Sequence, residues 1–189
     1  MVAGIDFGSK LAGTTVLAWF DGQQVQVLQT AKGEDADALL EQWVAEKAIK
    51  QIFMDAPLSL PGVYAGEGND YFYRTGDREL GAMSPLFLGG LTARAMRLAA
   101  GWRRAGVELN EAYPAALWKE IGDKKLAYKK DLADLSGCLA LLQLHWQVKL
   151  PAVVNWHQFD ALLALTTGLR HTQGKAKAYG DPHEGCIYV

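Results

Sequence analysis

Asp21-Gly22 separates two runs of strand-forming residues, Thr14 to Phe20 and Gln24 to Thr30, and a two-residue turn of that composition returns the chain antiparallel to itself. The alternation in Gln24 to Gln29 suits a strand with one wet face. Ahead of the hairpin, residues 2–7 read as a buried apolar strand, and Gly8 to Gly13 make the turn out of it. Behind it, Asp35 to Lys47 carry Leu39, Leu40, Trp43 and Val44 at helical spacing, and Gln51 to Met54 rise as a strand stopped by Pro57. Strand, helix and strand in that order imply a parallel crossover, because parallel neighbours cannot be joined by a tight turn. Three antiparallel strands followed by parallel ones predict the α/β class, with a mixed sheet covered by helices on both faces.

Residues 57–83 hold five glycines and no sustained period, which predicts a long functional loop or lid. Ser84-Pro85 is a cap followed by a proline at the first helical position, opening a helix through Arg104 that Gly106 ends. Val107 to Glu111 form the next strand, and Pro114 starts a short helix. Residues 131–147 are strongly apolar at helical spacing, Asn155 with Gln158 is a capping box for a last helix to about Arg170, and the closing CIYV can add an edge strand.

At 189 residues the chain is expected to fold as one domain spanning 1–189. A formal net charge of −2 carries no general attraction for polyanions, so a nucleic-acid partner has to be met by a local basic patch or by metal ions. Cys138 and Cys186 fit neither a metal spacing nor a disulfide framework, and no signal peptide or membrane span is present in the sequence. A reducing, cytoplasmic setting without membrane contact is the expectation.

Asp6, Asp55 and Glu111 each close an apolar run, and Asp160 lies one turn into the last helix. Charges delivered by the ends of buried strands are costly and usually have a task. Brought to one end of the sheet, these four acids would form an oxygen cage for Mg²⁺ or Mn²⁺, a pair of which roughly 4 Å apart suits phosphodiester hydrolysis. Asp6, on the central strand, is the natural bridging ligand. His157, Asp160, Ala161, Ala164 and Gly168 share one helical stripe, which places His157 beside Asp160 at the top of a close helix–sheet contact. Asp160, near a helix N-terminus, is expected to stay ionised. Each acid also has a plain alternative: Asp55 can satisfy a turn amide, Glu111 can cap the Pro114 helix, and His157 can be an interfacial histidine.

Arg74, Asp77 and Arg78 adjoin Tyr71, Phe72 and Tyr73, a composition that suits phosphate and base contacts unless the aromatics plug the base of their own loop. Lys119, Lys124, Lys125, Lys129 and Lys130 form a basic strip, and Arg94, Arg97 and Arg104 share a helical face. Arg74, Arg78, Lys124 and Lys125 are the candidate substrate-binding residues; a solvated charged face is the alternative.

The strings GIDFGSK, MDAPLSLP, YRTGDREL, NEAYPAALW, FDALLAL and GDPHEGCIYV together resemble a family of predicted RNase H-like nucleases, formerly a domain of unknown function. The resemblance runs along nearly the whole chain and extends to the Holliday-junction resolvases of the wider superfamily. It implies a ribonuclease H-like fold, metal ligands at Asp6, Asp55 and Asp160, and a His157-x-x-Asp160 pair like that in the last helix of such resolvases. Metal-dependent nuclease activity on RNA or DNA follows as the expected function, with a homodimer among the open oligomeric states. Two other readings are a catalytically inactive nucleic-acid-binding module on the same fold, and an actin- or sugar-kinase-like ATP-binding protein using the DFGSKLAGT hairpin.

Overall fold

The computed structural model describes residues 1–189, and one seven-stranded sheet gathers strands from both ends of the chain. Strands β1 (Val2–Asp6), β2 (Val16–Phe20) and β3 (Val25–Gln29) pair antiparallel, as the Asp21-Gly22 turn requires. Helix α1 (Ala36–Glu46), capped by the Asp35 carboxylate, carries the chain over to β4 (Gln51–Asp55), which runs parallel to β1. Beyond it lies β5 (Glu108–Ala112), parallel to β4. The sheet continues through β7 (Ile187–Tyr188) to β6 (Ala178–Tyr179), giving the order β3-β2-β1-β4-β5-β7-β6. The C-terminal CIYV segment is therefore an internal strand, and the preceding Ala178–Tyr179 pair forms the edge.

Segment 57–83 is mostly irregular, with two short helical pieces inside it. It contains a 3₁₀ turn (Gly62–Ala65) and helix α2 (Thr75–Leu80), too short to leave a period in the sequence. The helix expected from Ser84 to Arg104 is broken at Gly89, whose φ of 49° lies in the left-handed region, into α3 (Pro85–Leu88) and α4 (Gly90–Arg104). Helix α5 (Pro114–Ile121) follows β5, and the apolar stretch 131–147 shortens to a 3₁₀ turn (Leu132–Asp134) and α6 (Leu135–Gln143). The Gln143 amide replaces the missing last turn by accepting from Leu150 N–H and donating to the Val148 carbonyl. Helix α7 (Trp156–Thr172) starts at Asn155, whose side chain accepts from the Gln158 N–H as the capping pattern predicts.

Strand alternation assigns the two faces. Ala3 and Ile5 of β1, with Ile52 and Met54 of β4, face Leu40 and Val44 of α1 and Ala95 and Leu98 of α4. The opposite face is covered by α7, with α5 and α6 beside it; Phe159, Leu162 and Leu163 pack there with Val16 and Ala18 of β2 and Leu117 of α5. Helix α7 lies so close on β1 that a Cβ on Gly4 would stand 2.1 Å from the Leu165 nitrogen and 2.4 Å from the Ala161 carbonyl oxygen. Gly168 repeats the close approach over Val2 and Phe53. These two glycines set the height of α7 above the strand ends, and so the height of Asp160. No helix is long and apolar enough to cross a membrane.

Candidate metal centre

Asp6 and Asp55 are register partners at the C-terminal ends of adjacent parallel strands, so their side chains leave the same face of the sheet side by side. That face is the one under α7. Asp160, in the second turn of α7, comes down onto them, and one carboxylate oxygen from each of the three residues lies within 4.8 Å of the others. The donor set is three hard oxygen ligands, of the kind and spacing that one or two divalent cations of the magnesium class bridge.

Glu111 is not part of this cluster. It pairs in register with Met54, one residue short of Asp55, so alternation sends it to the opposite face of the sheet. There it accepts two bonds from Arg74, 2.7 Å to Nη1 and 2.7 Å to Nη2, and a third from the Leu58 N–H at 3.0 Å. Arg74, expected at substrate phosphate, is instead spent inside the fold: the side chain is 1% exposed and all of its nitrogens are engaged. Its other partner is Asp77, reached at 3.1 Å through Nε and 2.7 Å through Nη2, while Ser59 Oγ accepts from Nη1 at 2.8 Å. This buried cluster ties segment 57–83 to β5.

The remaining candidates divide. His157 sits at the triad, its Nδ1 2.8 Å from Asp6 Oδ2, with 44% of its side chain exposed. Arg78 is exposed, ion-paired to Asp70 and stacked 4.7 Å from the Tyr73 ring centre. Lys124 and Lys125 are exposed on the connector between α5 and α6. Arg94 and Arg97 are taken up by Asp37 and join α4 to α1. Tyr71 and Phe72 are more than half exposed, so they do not plug the base of their loop.

Sequence reasoning missed Tyr128, and it read Lys129 only as part of a basic strip. The Tyr128 hydroxyl donates to Asp160 Oδ1 at 2.5 Å, and the Lys129 ammonium is ion-paired with Asp160 Oδ2. Tyr128 is held in place by the rings of Trp118, Trp156 and Phe159. Lys129 adopts φ 60°, a left-handed conformation costing a non-glycine residue on the order of 1 kcal/mol. The one sequence signal is an aromatic ring, Tyr128, set in a lysine-rich connector.

Burial and mutual repulsion govern the charges. Burial pushes Asp160 up to about 6 despite the opposing contact with Lys129, so desolvation outweighs the helix N-terminus that was expected to keep it ionised. Asp55 lies well above the usual carboxylate range, first because of burial and then because Asp6 and Asp160 are beside it. The hydrogen bond to Asp6 raises His157. Burial opposes the charge on Lys129, but Asp160, backed by Asp55 and Asp6, more than offsets it.

A pH dependence of stability follows from Asp55. A carboxyl whose native pKa is raised holds a proton that the unfolded chain releases. Its stabilising contribution is complete below the ordinary carboxylate range and is lost as pH climbs through the raised native value. Asp55→Asn removes that loss. The melting temperature of metal-free Asp55→Asn should match wild type near pH 4 and exceed it increasingly toward pH 8, while the rise produced by Mn²⁺ disappears. A variant less stable than wild type at pH 8 would show that the carboxylate is structural.

No protein-family model and no curated protein matches the chain.

Proposed function

We propose that the protein is a metal-dependent nuclease of ribonuclease H-like fold that hydrolyses phosphodiester bonds with Mg²⁺ or Mn²⁺ held by Asp6, Asp55 and Asp160. The observation that carries this reading is the meeting of three carboxylates, two from register-paired strand ends and one from α7, within 4.8 Å. The run of three antiparallel strands followed by parallel β4 and β5 supports the fold assignment. Two unpaired cysteines agree with a reducing cytoplasm.

A divalent cation bound here supplies Lewis-acid activation of water and neutralises charge on the phosphate. The chain's own groups do the positioning. Asp6 and Asp55 set the separation of the ligands, and Tyr128 fixes the Asp160 carboxylate through Oδ1. The Lys129 ammonium, 45% exposed, offers a phosphate oxygen a cationic partner once it leaves Asp160. His157, bonded to Asp6 through Nδ1 and open to solvent, can take or give a proton at its other ring nitrogen.

One observation favours the second reading, an inactive binding module: the Lys129 ammonium itself neutralises part of the acidic cluster. Labelled single-stranded, duplex, hybrid and junction substrates incubated with Mg²⁺, Mn²⁺ or EDTA separate the two. Metal-dependent cutting of any of them supports the nuclease. Binding without cutting in either metal leaves the module as the better account.

The exposed Lys124 and Lys125 are expected to hold backbone phosphates without reading sequence. Changing both to Ala should weaken binding and lower the slope of log affinity against log salt by about 1–2. An unchanged slope in anisotropy titrations would remove them from the interface.

A further inference from the structure

A cavity of about 340 Å³ opens directly beside the acidic cluster and shares Asp55 and Lys129 with it. Its walls are mostly apolar, with Pro57, Met83, Leu88, Leu91, Tyr113 and Ile187 among them. The other two acids of its lining, Asp77 and Glu111, are both consumed by Arg74, so they ask nothing of a ligand. An occupant is therefore apolar in body and meets charge only at the Asp55 and Lys129 end. The volume is near the lower limit of small-molecule pockets, roughly 300 Å³, room for one base-sized group and not for a base pair.

Exposed side chains at and next to the cavity wall add a second, independent feature. Met83, which lines the cavity, is 59% exposed, and Phe87, beside Leu88 of the wall, is 64% exposed. Phe72 is 52% exposed, and its ring centre lies 5.7 Å from that of Phe87. Tyr73 meets the Phe87 ring edge-on and carries the Arg78 guanidinium over its face, and exposed rings beside an arginine are the composition of a stacking platform for unpaired bases. A duplex presents its bases already stacked and paired, and would have to flip one out to use this cavity.

We infer that the cavity beside Asp55 receives the unpaired base next to the scissile phosphate, with the adjoining bases stacking on Phe72 and Phe87, so that the substrate is a single strand or a frayed end. This inference rests on the nuclease reading and names its substrate class. With a base seated against Met83, Leu88 and Leu91, its phosphate falls at the Asp55 and Lys129 end, where the carboxylates meet.

The test compares a short labelled single strand, as RNA and as DNA, with its duplex, reading both anisotropy and cleavage in Mn²⁺. Leu88→Trp fills the cavity from its wall, and Met83→Asp, on an exposed position that tolerates polarity, places a repelling charge at its mouth. Wild type should bind the single strand at least about tenfold more tightly than the duplex. Both variants should lose about tenfold on the single strand and keep the wild-type rise in melting temperature with Mn²⁺. Duplex bound and cut as well as single strand, or single-strand affinity untouched in folded Met83→Asp, would overturn the cavity assignment and leave the nuclease standing. No cleavage of any substrate, with single-strand binding still lost in Met83→Asp, would sink the nuclease and keep the unpaired-base site.

Discussion

Asp6→Asn and Asp160→Asn proteins should bind nucleic acid close to normally and cut it slower by on the order of a thousandfold or more. The size follows from the role proposed for the carboxylates. A metal-activated water and a neutralised phosphate contribute several kcal/mol to the transition state, and each 1.4 kcal/mol is about a factor of ten in rate. Binding, by contrast, would on the proposed function come from phosphate contacts and stacking that lie outside the triad. The Asn side chains keep the shape of the site while removing the charge that would hold the cation. Single-turnover cleavage with saturating enzyme isolates the chemical step from affinity. Rates within about tenfold of wild type in both variants would remove the triad from the chemistry. Loss of binding in parallel with rate would make these residues part of the docking surface instead.

Arg74→Ala should be the most destabilising single change outside the hydrophobic core. The guanidinium satisfies two carboxylates at once, Asp77 at 1% exposure and Glu111 at 7%, and removing it leaves both buried without their cation. Breaking a buried pair in this way costs about 3–5 kcal/mol. For a chain of this length each kcal/mol shifts the melting temperature by roughly 2–4 °C. Denaturant unfolding and thermal melts measure the loss directly. Adding Asp77→Asn and Glu111→Gln to Arg74→Ala should recover part of it, because the repulsion between orphaned charges is then gone. A loss below about 1 kcal/mol, with nucleic-acid affinity collapsing instead, would return Arg74 to the role first expected for it.

That first role shows where reading residues in order stops. Arg74 beside Tyr73 and near Arg78 has the local composition of a phosphate site, and Arg78 does remain at the surface. What removes Arg74 is Glu111, 37 residues further along, together with the packing of α2 on the edge strand β6. Glu111 fails for a related reason. It closes an apolar run much as Asp55 does, but the ladder pairs it with Met54 and not with Asp55. One residue of register separates a candidate metal ligand from the partner of a structural arginine. Lys129 enters the site because its connector folds back with a left-handed residue, for which the local sequence has no glycine to announce it.

What the sequence determined by itself was local or periodic: the Asp21-Gly22 hairpin, the strands ending in Asp6 and Asp55, the Asn155 cap and the small-residue stripe that lets α7 lie close. Those features are encoded within a few residues, since turn chemistry, alternation and capping act over one turn or one strand. The tertiary structure alone decided which face each strand-end acid takes, which cations are spent inside the fold, and that Tyr128 and Lys129 close over Asp160. These depend on ladder register and on the balance between desolvation and distant charge, quantities that exist only once residues remote in sequence are brought together.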